Sequence, residues 1–310
     1  MSDRAARVGG VSDRVVAVLT HPRRPEAMAA ACAFVSSLAD HGIRCLVFPD
    51  ALVAIRQAVP HATVAAVGRP DDGAAEIAVV FGGDGTILRA AEWAVSHDVP
   101  VLGVNLGHVG FLAEMEVVEL PTLADRVLRG DYTTERRVTL HVEALDESGT
   151  RLWSSFAVNE VSLEKASRQK VVEILATIDG LPVSRWACDG ILISTPTGST
   201  AYAFSAGGPV MWPNVEAFLV VPLSAHALFA RPLVVGPDSV VEIDLVSNAE
   251  AVVWCDGRRT FDVAPGCRVI ARRAPHHLTM VRLSEQPFTN RLVRKFGLRI
   301  EGWRSAPGSH

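Results

Sequence analysis

The chain has 310 residues, 49% of them hydrophobic and 21% charged, which is enough for two ordinary domains with real cores in a soluble globular protein. A net charge of -4 excludes the basic footprint of a nucleic-acid or anionic-membrane binder, and five cysteines (Cys32, Cys45, Cys188, Cys255, Cys267) with no C-x-x-C pair exclude a disulfide framework or zinc site. No apolar run reaches membrane-spanning length and the start "MSDRAARVGGVSDR" has no apolar core, so the cytoplasm is the expected compartment.

In chain order, "RVVAVL" (14–19) is an apolar strand, "PEAMAAACAFVSSLADHG" (25–42) an alanine-rich helix opened by proline and closed by glycine, and "IRCLVF" (43–48) a second strand. A helix starting at Asp50 precedes "IAVVF" (77–81), a continuous apolar run expected of a strand buried on both faces. After "GGDG" (82–85), Ile87, Leu88, Ala91, Ala94 and Val95 recur at helical spacing, and "VPVLGVN" (99–105) supplies the next strand. Repeated βα units predict a parallel, Rossmann-like sheet with any ligand outside the carboxyl ends of its strands. Both "GGDG" and "NLGHVGFL" (105–112) follow strands at that edge and are expected to share one crevice.

The "GGDG" turn is tolerable only where backbone turns tightly or approaches something closely. A helix start presents unpaired N–H groups and partial positive charge, so phosphate is the natural guest. Yet no G-x-x-x-x-G-K-[ST] occurs, and "GVNLGHVG" (103–110) misses the G-x-G-x-x-G spacing. What distinguishes the turn is Asp84: an acid facing phosphate is repulsive unless a cation stands between them or the acid handles a proton.

After "ELPTLADRVLRGDY" (119–132) the period changes to two. The stretches "TLHVEALD", "KVVEILATID", "GILIST", "AFLVVPL", "SVVEIDLV", "AVVWCDG" and "CRVIARRA" predict an all-β sandwich-like or barrel-like domain. The expected division is an α/β domain over 1–131, an all-β domain over 132–280, and a helical segment over 281–310 that returns to the first domain. Within the β half, "WACDGILISTPTGSTAYAFSAGGP" (186–209) brings Asp189, hydroxyl residues around Gly198, and Tyr202 together in a small-residue surface suited to a flat base and a ribose. In "VNEVSLEK" (158–165), Asn159 and Glu160 interrupt a strand-like run, as a pair holding a sugar's vicinal hydroxyls would.

The set "GGDGT", "NLGHVGFL", "VNE", "DGILISTPTGSTAYAFSAGGP" and "SAHALFARPLV", in this order on an α/β then all-β layout, closely resembles the NAD kinase family, especially its bacterial members. The resemblance runs from about Arg14 to Gly297, and the "STPTGSTAY" segment narrows it beyond the lipid kinases and phosphofructokinases that share "GGDGT". It implies phosphoryl transfer to the 2′-hydroxyl of the adenosine ribose of NAD, with ATP or inorganic polyphosphate as donor and a divalent ion, Mg²⁺, beside the phosphates. It also implies a homodimer or homotetramer, while the charge balance points to neither nucleic acid nor membrane as partner.

Carried over by motif, the resemblance makes Asp84 the proton acceptor or orienter and Gly85 the place of close substrate approach. Asn159 and Glu160 hold ribose hydroxyls and Asp189 is a substrate-binding acid. Thr197, Thr200, Ala201, Tyr202 and Ser205, with Ala203 and Phe204 in the same run, fall at the base and nicotinamide pockets. Lys170 falls at a position often basic in the family, and Arg89 reads equally as a phosphate contact or a solvated helix residue. Many members carry an arginine two residues before the D-G acid; Ala187 stands here, leaving Arg185 or a neighbouring subunit to supply that charge. Two rivals keep the same residues: a diacylglycerol- or sphingosine-type lipid kinase, which the charge balance gives no membrane-attracting patch, and a non-catalytic NAD-binding module. The intact "GGDGT" favours catalysis, because binding alone is easier without an acid facing phosphates.

Overall fold

The computed structural model describes residues 14–68, 75–106, 110–113, 115–116, 120–167, 170–283 and 287–298. It divides the chain into two units, one built from the residues up to Glu135 and from Thr279 onward, the other from Arg136 to Leu278. No helix among the described residues is long and apolar enough to cross a membrane.

The first unit begins with β1 (Val15–Thr20), α1 (Pro25–Ala39), β2 (Arg44–Val47), α2 (Leu52–Ala58), β3 (Val64–Ala66), β4 (Ile77–Phe81), α3 (Asp84–His97) and β5 (Val101–Asn105). It continues through β6 (Met115–Glu116), α4 (Leu120–Arg129) and β7 (Thr133–Arg137), which leads into the second unit. The sheet order is β3-β2-β1-β4-β5, and these neighbours are parallel. From β1 the chain winds outward to β3, then returns to β4 and winds the other way, so the order reverses between β1 and β4. In such sheets that reversal opens a crevice at the carboxyl ends of the two strands.

β4 and β5 are buried along their whole length, which is why they read as unbroken apolar runs. α1 buries Ala27, Ala30, Ala31, Phe34, Val35 and Leu38, an i, i+3, i+4, i+7 stripe whose alanines let the helix lie close to the sheet. Full burial of a side chain such as Phe34 contributes roughly 1.5–3 kcal/mol.

The second unit carries β8 (Leu140–Leu145), β9 (Arg151–Ala157), β10 (Glu160–Lys165), β11 (Val172–Ile178), β12 (Leu181–Cys188) and β13 (Gly190–Ser194). A 3₁₀ turn over Thr197–Thr200 and the short α5 (Tyr202–Ser205) follow, then β14 (Phe218–Leu223), β15 (Leu233–Val235), β16 (Val241–Leu245), β17 (Ala251–Cys255), β18 (Arg259–Val263) and β19 (Arg268–Arg273). These form two six-stranded sheets, β15-β14-β13-β10-β17-β18 and β12-β11-β16-β19-β8-β9. One apolar core, with Val161, Leu163, Ile193 and Val253 from the first sheet and Leu140, Ile174, Trp186 and Ile243 from the second, makes them a sandwich. β20 (Leu278–Arg282) and α6 (Phe288–Phe296) complete the first unit, with β20 parallel to β5. The last twelve residues of the expected C-terminal segment lie outside the described residues.

Candidate functional site

At the β1–β4 reversal the chain leaves Phe81, turns through Gly82 and Gly83, and enters α3 at Asp84. Gly82 has φ of +155°, and a Cβ there would strike the Thr86 side chain, so glycine is required. No side chain caps α3, which leaves its leading N–H groups without an intrahelical acceptor, the arrangement that receives anions. Gly85 is exposed, and a Cβ on it would meet nothing within 4 Å.

Asp84 Oδ2 accepts the Phe111 N–H and Oδ1 accepts the Leu112 N–H, each at 3.1 Å. Gly110 lies so close that a Cβ would collide with this carboxylate. The two loops at the sheet edge therefore meet on Asp84 through two charge-assisted hydrogen bonds; Gly107, His108 and Val109 of the second loop lie outside the described residues. That loop is braced in turn by α6, where the buried Arg291 donates to the Phe111 carbonyl at 3.2 Å and Phe288 and Phe296 pack on the Phe111 ring. Arg89, on α3 like Asp84, is engaged by its neighbours. It donates to Asp50 at 2.8 Å and lies over the Phe48 ring, 4.0 Å from its centroid.

In the second unit, four segments converge on Asn159 and Glu160. The buried Asp256, in the turn between β17 and β18, accepts N–H groups from Val158 (2.9 Å), Asn159 (2.7 Å) and Glu160 (3.3 Å). It also accepts from Arg259 at 2.9 Å, so its charge is answered on all sides. From the other direction the Thr195 N–H donates to the Asn159 carbonyl at 2.8 Å and Thr195 Oγ1 donates to the Val158 carbonyl at 2.6 Å. Gly198 presses on the Asn159 carbonyl where no Cβ would fit. The Tyr202 N–H hydrogen bonds the Glu160 carboxyl.

After all this bracing, Asn159 Oδ1 and Glu160 Oε2 are buried and have no hydrogen-bond partner among the described residues. Burial, with the Asp256 charge adding to it and the Tyr202 N–H opposing it, pushes the Glu160 carboxyl up to about 8. Asp256 and Arg259 escaped sequence reasoning, although the D-G after an apolar run was a visible turn signal.

Asp189 forms an ion pair with Lys165, at the end of β10, and Arg185 is exposed on β12. The Lys165 ammonium holds the Asp189 carboxyl below its ordinary range. Ala187 instead uses its backbone, accepting the His226 N–H at 2.9 Å.

The hydroxyl-rich turn is largely self-satisfying: Ser199 Oγ donates to the Pro196 carbonyl at 2.7 Å and accepts the Met211 N–H at 2.8 Å. Thr197 is buried, Thr200 Oγ1 donates to the Thr197 carbonyl at 3.4 Å, and Ala201 links the turn to α5. Ala203 packs inward with Leu192 and Leu219, while Tyr202, Phe204 and Ser205 are exposed. Partial burial and the charges of Glu164, Asp189 and Glu160 push the Tyr202 phenol up. Lys170 is exposed just before β11.

A family model described as the ATP-NAD kinase N-terminal domain matches residues 16–132, and one described as the ATP-NAD kinase C-terminal domain matches 158–283. The NAD kinase of Cutibacterium acnes is 52% identical over 96% of this chain and 94% of its own length. The NAD kinase of Leifsonia xyli is 48% identical over 96% of this chain and 99% of its own. Among solved structures, yeast NADH kinase complexed with NADH matches at a TM-score of 0.84 and 24% identity, over 94% of this chain and 90% of that one. An NAD kinase from Archaeoglobus fulgidus in complex with ATP matches at 0.64 and 23%, over 91% and 97%. The structural likeness establishes the fold, and the matched domains and close relatives establish the lineage: the chain belongs to the NAD kinase family.

Proposed function

We propose that the chain transfers the terminal phosphoryl group of ATP to the 2′-hydroxyl of the adenosine ribose of NAD, giving NADP, ADP and a proton. The observation that carries this reading is the pair of buried, unpartnered oxygens, Asn159 Oδ1 and Glu160 Oε2. An unpaired buried polar atom costs about 1–3 kcal/mol, and a ribose diol supplies two O–H groups to such a pair. Tyr202 offers an exposed ring to a base or nicotinamide, with Thr197, Thr200, Ala201 and Ser205 around it; Phe204 extends that surface and Ala203 packs beneath it. Asp189, held by Lys165, is the acid of the same region.

Asp84 takes or orients the proton of the attacking hydroxyl as the new P–O bond forms and the bond to ADP breaks. Phosphoryl transfer through a loose transition state demands position more than strong basicity, and two amide bonds fix the Asp84 carboxylate. The donor phosphates lie at the uncapped start of α3, where Gly85 admits close approach; Arg89 anchors that helix to Asp50, and Lys170 remains an exposed cation for the substrate. Mg²⁺ is ordinarily held by one or two carboxylates together with substrate phosphates. Asp84 fits, because each of its oxygens accepts one amide and keeps further lone-pair capacity. Bound there, such an ion would neutralise charge on the phosphates. Polyphosphate presents the same terminal group and is a second donor. The enzyme works in the cytoplasm as a homodimer or homotetramer.

The test is incubation of the purified chain with NAD, ATP and Mg²⁺, read by an NADP-specific dehydrogenase, with diacylglycerol and sphingosine as alternative acceptors. NADP is expected and lipid phosphate is not. NAD binding without turnover would convert the reading to a binding module.

A further inference from the structure

Beside the "GGDG" turn, the carboxyl end of β1 carries a second loop that the roles above leave unused. Thr20, the last residue of β1, pairs with Phe81 of β4, and the His21 N–H donates to the Phe81 carbonyl at 3.4 Å. The loop is therefore fastened next to Gly82. His21, Pro22, Arg23 and Arg24 then lead into α1, with the Arg23 N–H bonded to His21 Nδ1 at 3.2 Å.

Thr20 is fully buried, yet its Oγ1 has no hydrogen-bond partner among the described residues. Valine would fill that space without burying an unpaired hydroxyl, so the threonine is unexplained by packing. Side-chain alternation sets Thr20 on the face of Val16 and Val18, which pack with Ala27, Ala30 and Ala31 of α1. Thr20 ends that row, at the strand end from which the chain turns into α1. The helix opens with proline and no side-chain cap, so the Glu26 and Ala27 N–H groups have no intrahelical acceptor. Arg23 and Arg24 are exposed at the same turn, and their two charges outweigh that of Glu26.

We propose that this β1–α1 loop is a second arm of the donor site: Thr20 Oγ1 and the leading N–H groups of α1 hold the phosphate chain of the donor, and Arg23 and Arg24 surround it with positive charge. The proposal rests on the phosphoryl-transfer reading and adds to it the groups that grip the donor rather than the acceptor. A phosphate oxygen accepts the Thr20 hydroxyl proton, which nothing else in the described chain receives.

The test uses the full chain with Thr20→Val, Thr20→Ser and the double variant Arg23→Ala/Arg24→Ala. Donor KM is measured at saturating NAD, and binding of ATP and of inorganic tripolyphosphate is measured by calorimetry without NAD. Thr20→Val should raise the ATP KM and weaken both ligands about tenfold, leave the NAD KM unchanged, and keep or raise the melting temperature. Thr20→Ser should stay within about twofold of the parent. The double arginine variant should weaken both ligands about tenfold or more and flatten their salt dependence.

Unchanged affinities in Thr20→Val and in the double variant would overturn the proposal. So would failure of the parent to bind tripolyphosphate, or a loss confined to ATP, which would place the contact on the nucleoside. Failure of the parent to make NADP would refute the phosphoryl-transfer reading instead, while the calorimetry still decides the loop.

Discussion

In the proposed transfer Asp84 acts through both its charge and its aim, and one substitution separates that role from a purely structural acid. Asp84→Asn keeps the size but turns an NH₂ toward either the Phe111 or the Leu112 N–H, so it removes the base and loosens the loop together. Turnover should fall about 10²- to 10⁴-fold with the fold intact, the range for losing an acid–base group. Near-normal steady-state turnover would remove Asp84 from the chemistry. Glu160 gives a prediction of a different kind. Its carboxyl titrates at about 8 in the folded chain, against roughly 4.3 for an unperturbed glutamic acid. Between those values the folded state binds a proton that the unfolded state has lost, so stability falls as pH rises through the window and the loss is complete above it. Glu160→Gln removes the penalty, and its melting temperature should gain on that of the parent from pH 5 to pH 8; a constant difference would show that Glu160 ionises freely. Near pH 7 the parent side chain is largely neutral, so Gln is a close mimic and should cost less activity than Ala, with kcat carrying the larger share because orientation is most of what a loose transfer needs. Equal kinetic constants for the parent and Glu160→Ala would sink the ribose assignment.

At the level of elements, the loop that grips Asp84 depends on a helix far along the chain. Arg291→Met should leave the Phe111 carbonyl without its brace and lower kcat several-fold, with a smaller change in melting temperature than a core truncation would cause. Unaltered kcat would confine α6 to packing. In the other unit, Asp256→Asn withdraws charge from three N–H groups and Arg259, and should destabilise by about 2–4 kcal/mol in urea unfolding. A change below 0.5 kcal/mol would contradict the bracing role. These partners explain what the sequence could and could not tell. The "GGDG" turn was legible because glycines and an acid between two apolar runs have few uses, and "VNE" because two polar residues broke a strand. Asp256 hid in a D-G that reads as a hairpin turn, since its second use requires β10 to lie beside β17, and Val158 is 98 residues away in sequence. Lys165 was invisible as the partner of Asp189 for the same reason: the register that pairs Glu164 with Gly190 brings them together. The strands absent from the sequence reading of the β half, β9, β12, β15 and β18, are the four edge strands of its two sheets. An edge strand has one neighbour and more exposed side chains, as β12 shows, so its alternation is weak.

Across the whole molecule, the change from a helical period to a period of two was enough to read an α/β layout followed by a sandwich, because each period is imposed by the layer that buries it. The strand order was not readable in the same way: it depends on which way the chain winds after β3, and only the β1–β4 reversal gives the "GGDG" turn its place at a crevice. In the proposed reaction the first unit supplies Asp84 and the uncapped start of α3, and the second supplies the paired oxygens proposed for a ribose. The most direct measurement is ³¹P NMR of the product formed by the purified chain from NAD, ATP and Mg²⁺, with Asp84→Asn alongside. A new phosphomonoester on the 2′-oxygen of the adenosine ribose is expected, in equal amount to ADP and almost absent with Asp84→Asn. A folded protein that binds NAD and ATP but forms no such ester, or phosphorylates a different hydroxyl, would contradict the assignment of both units.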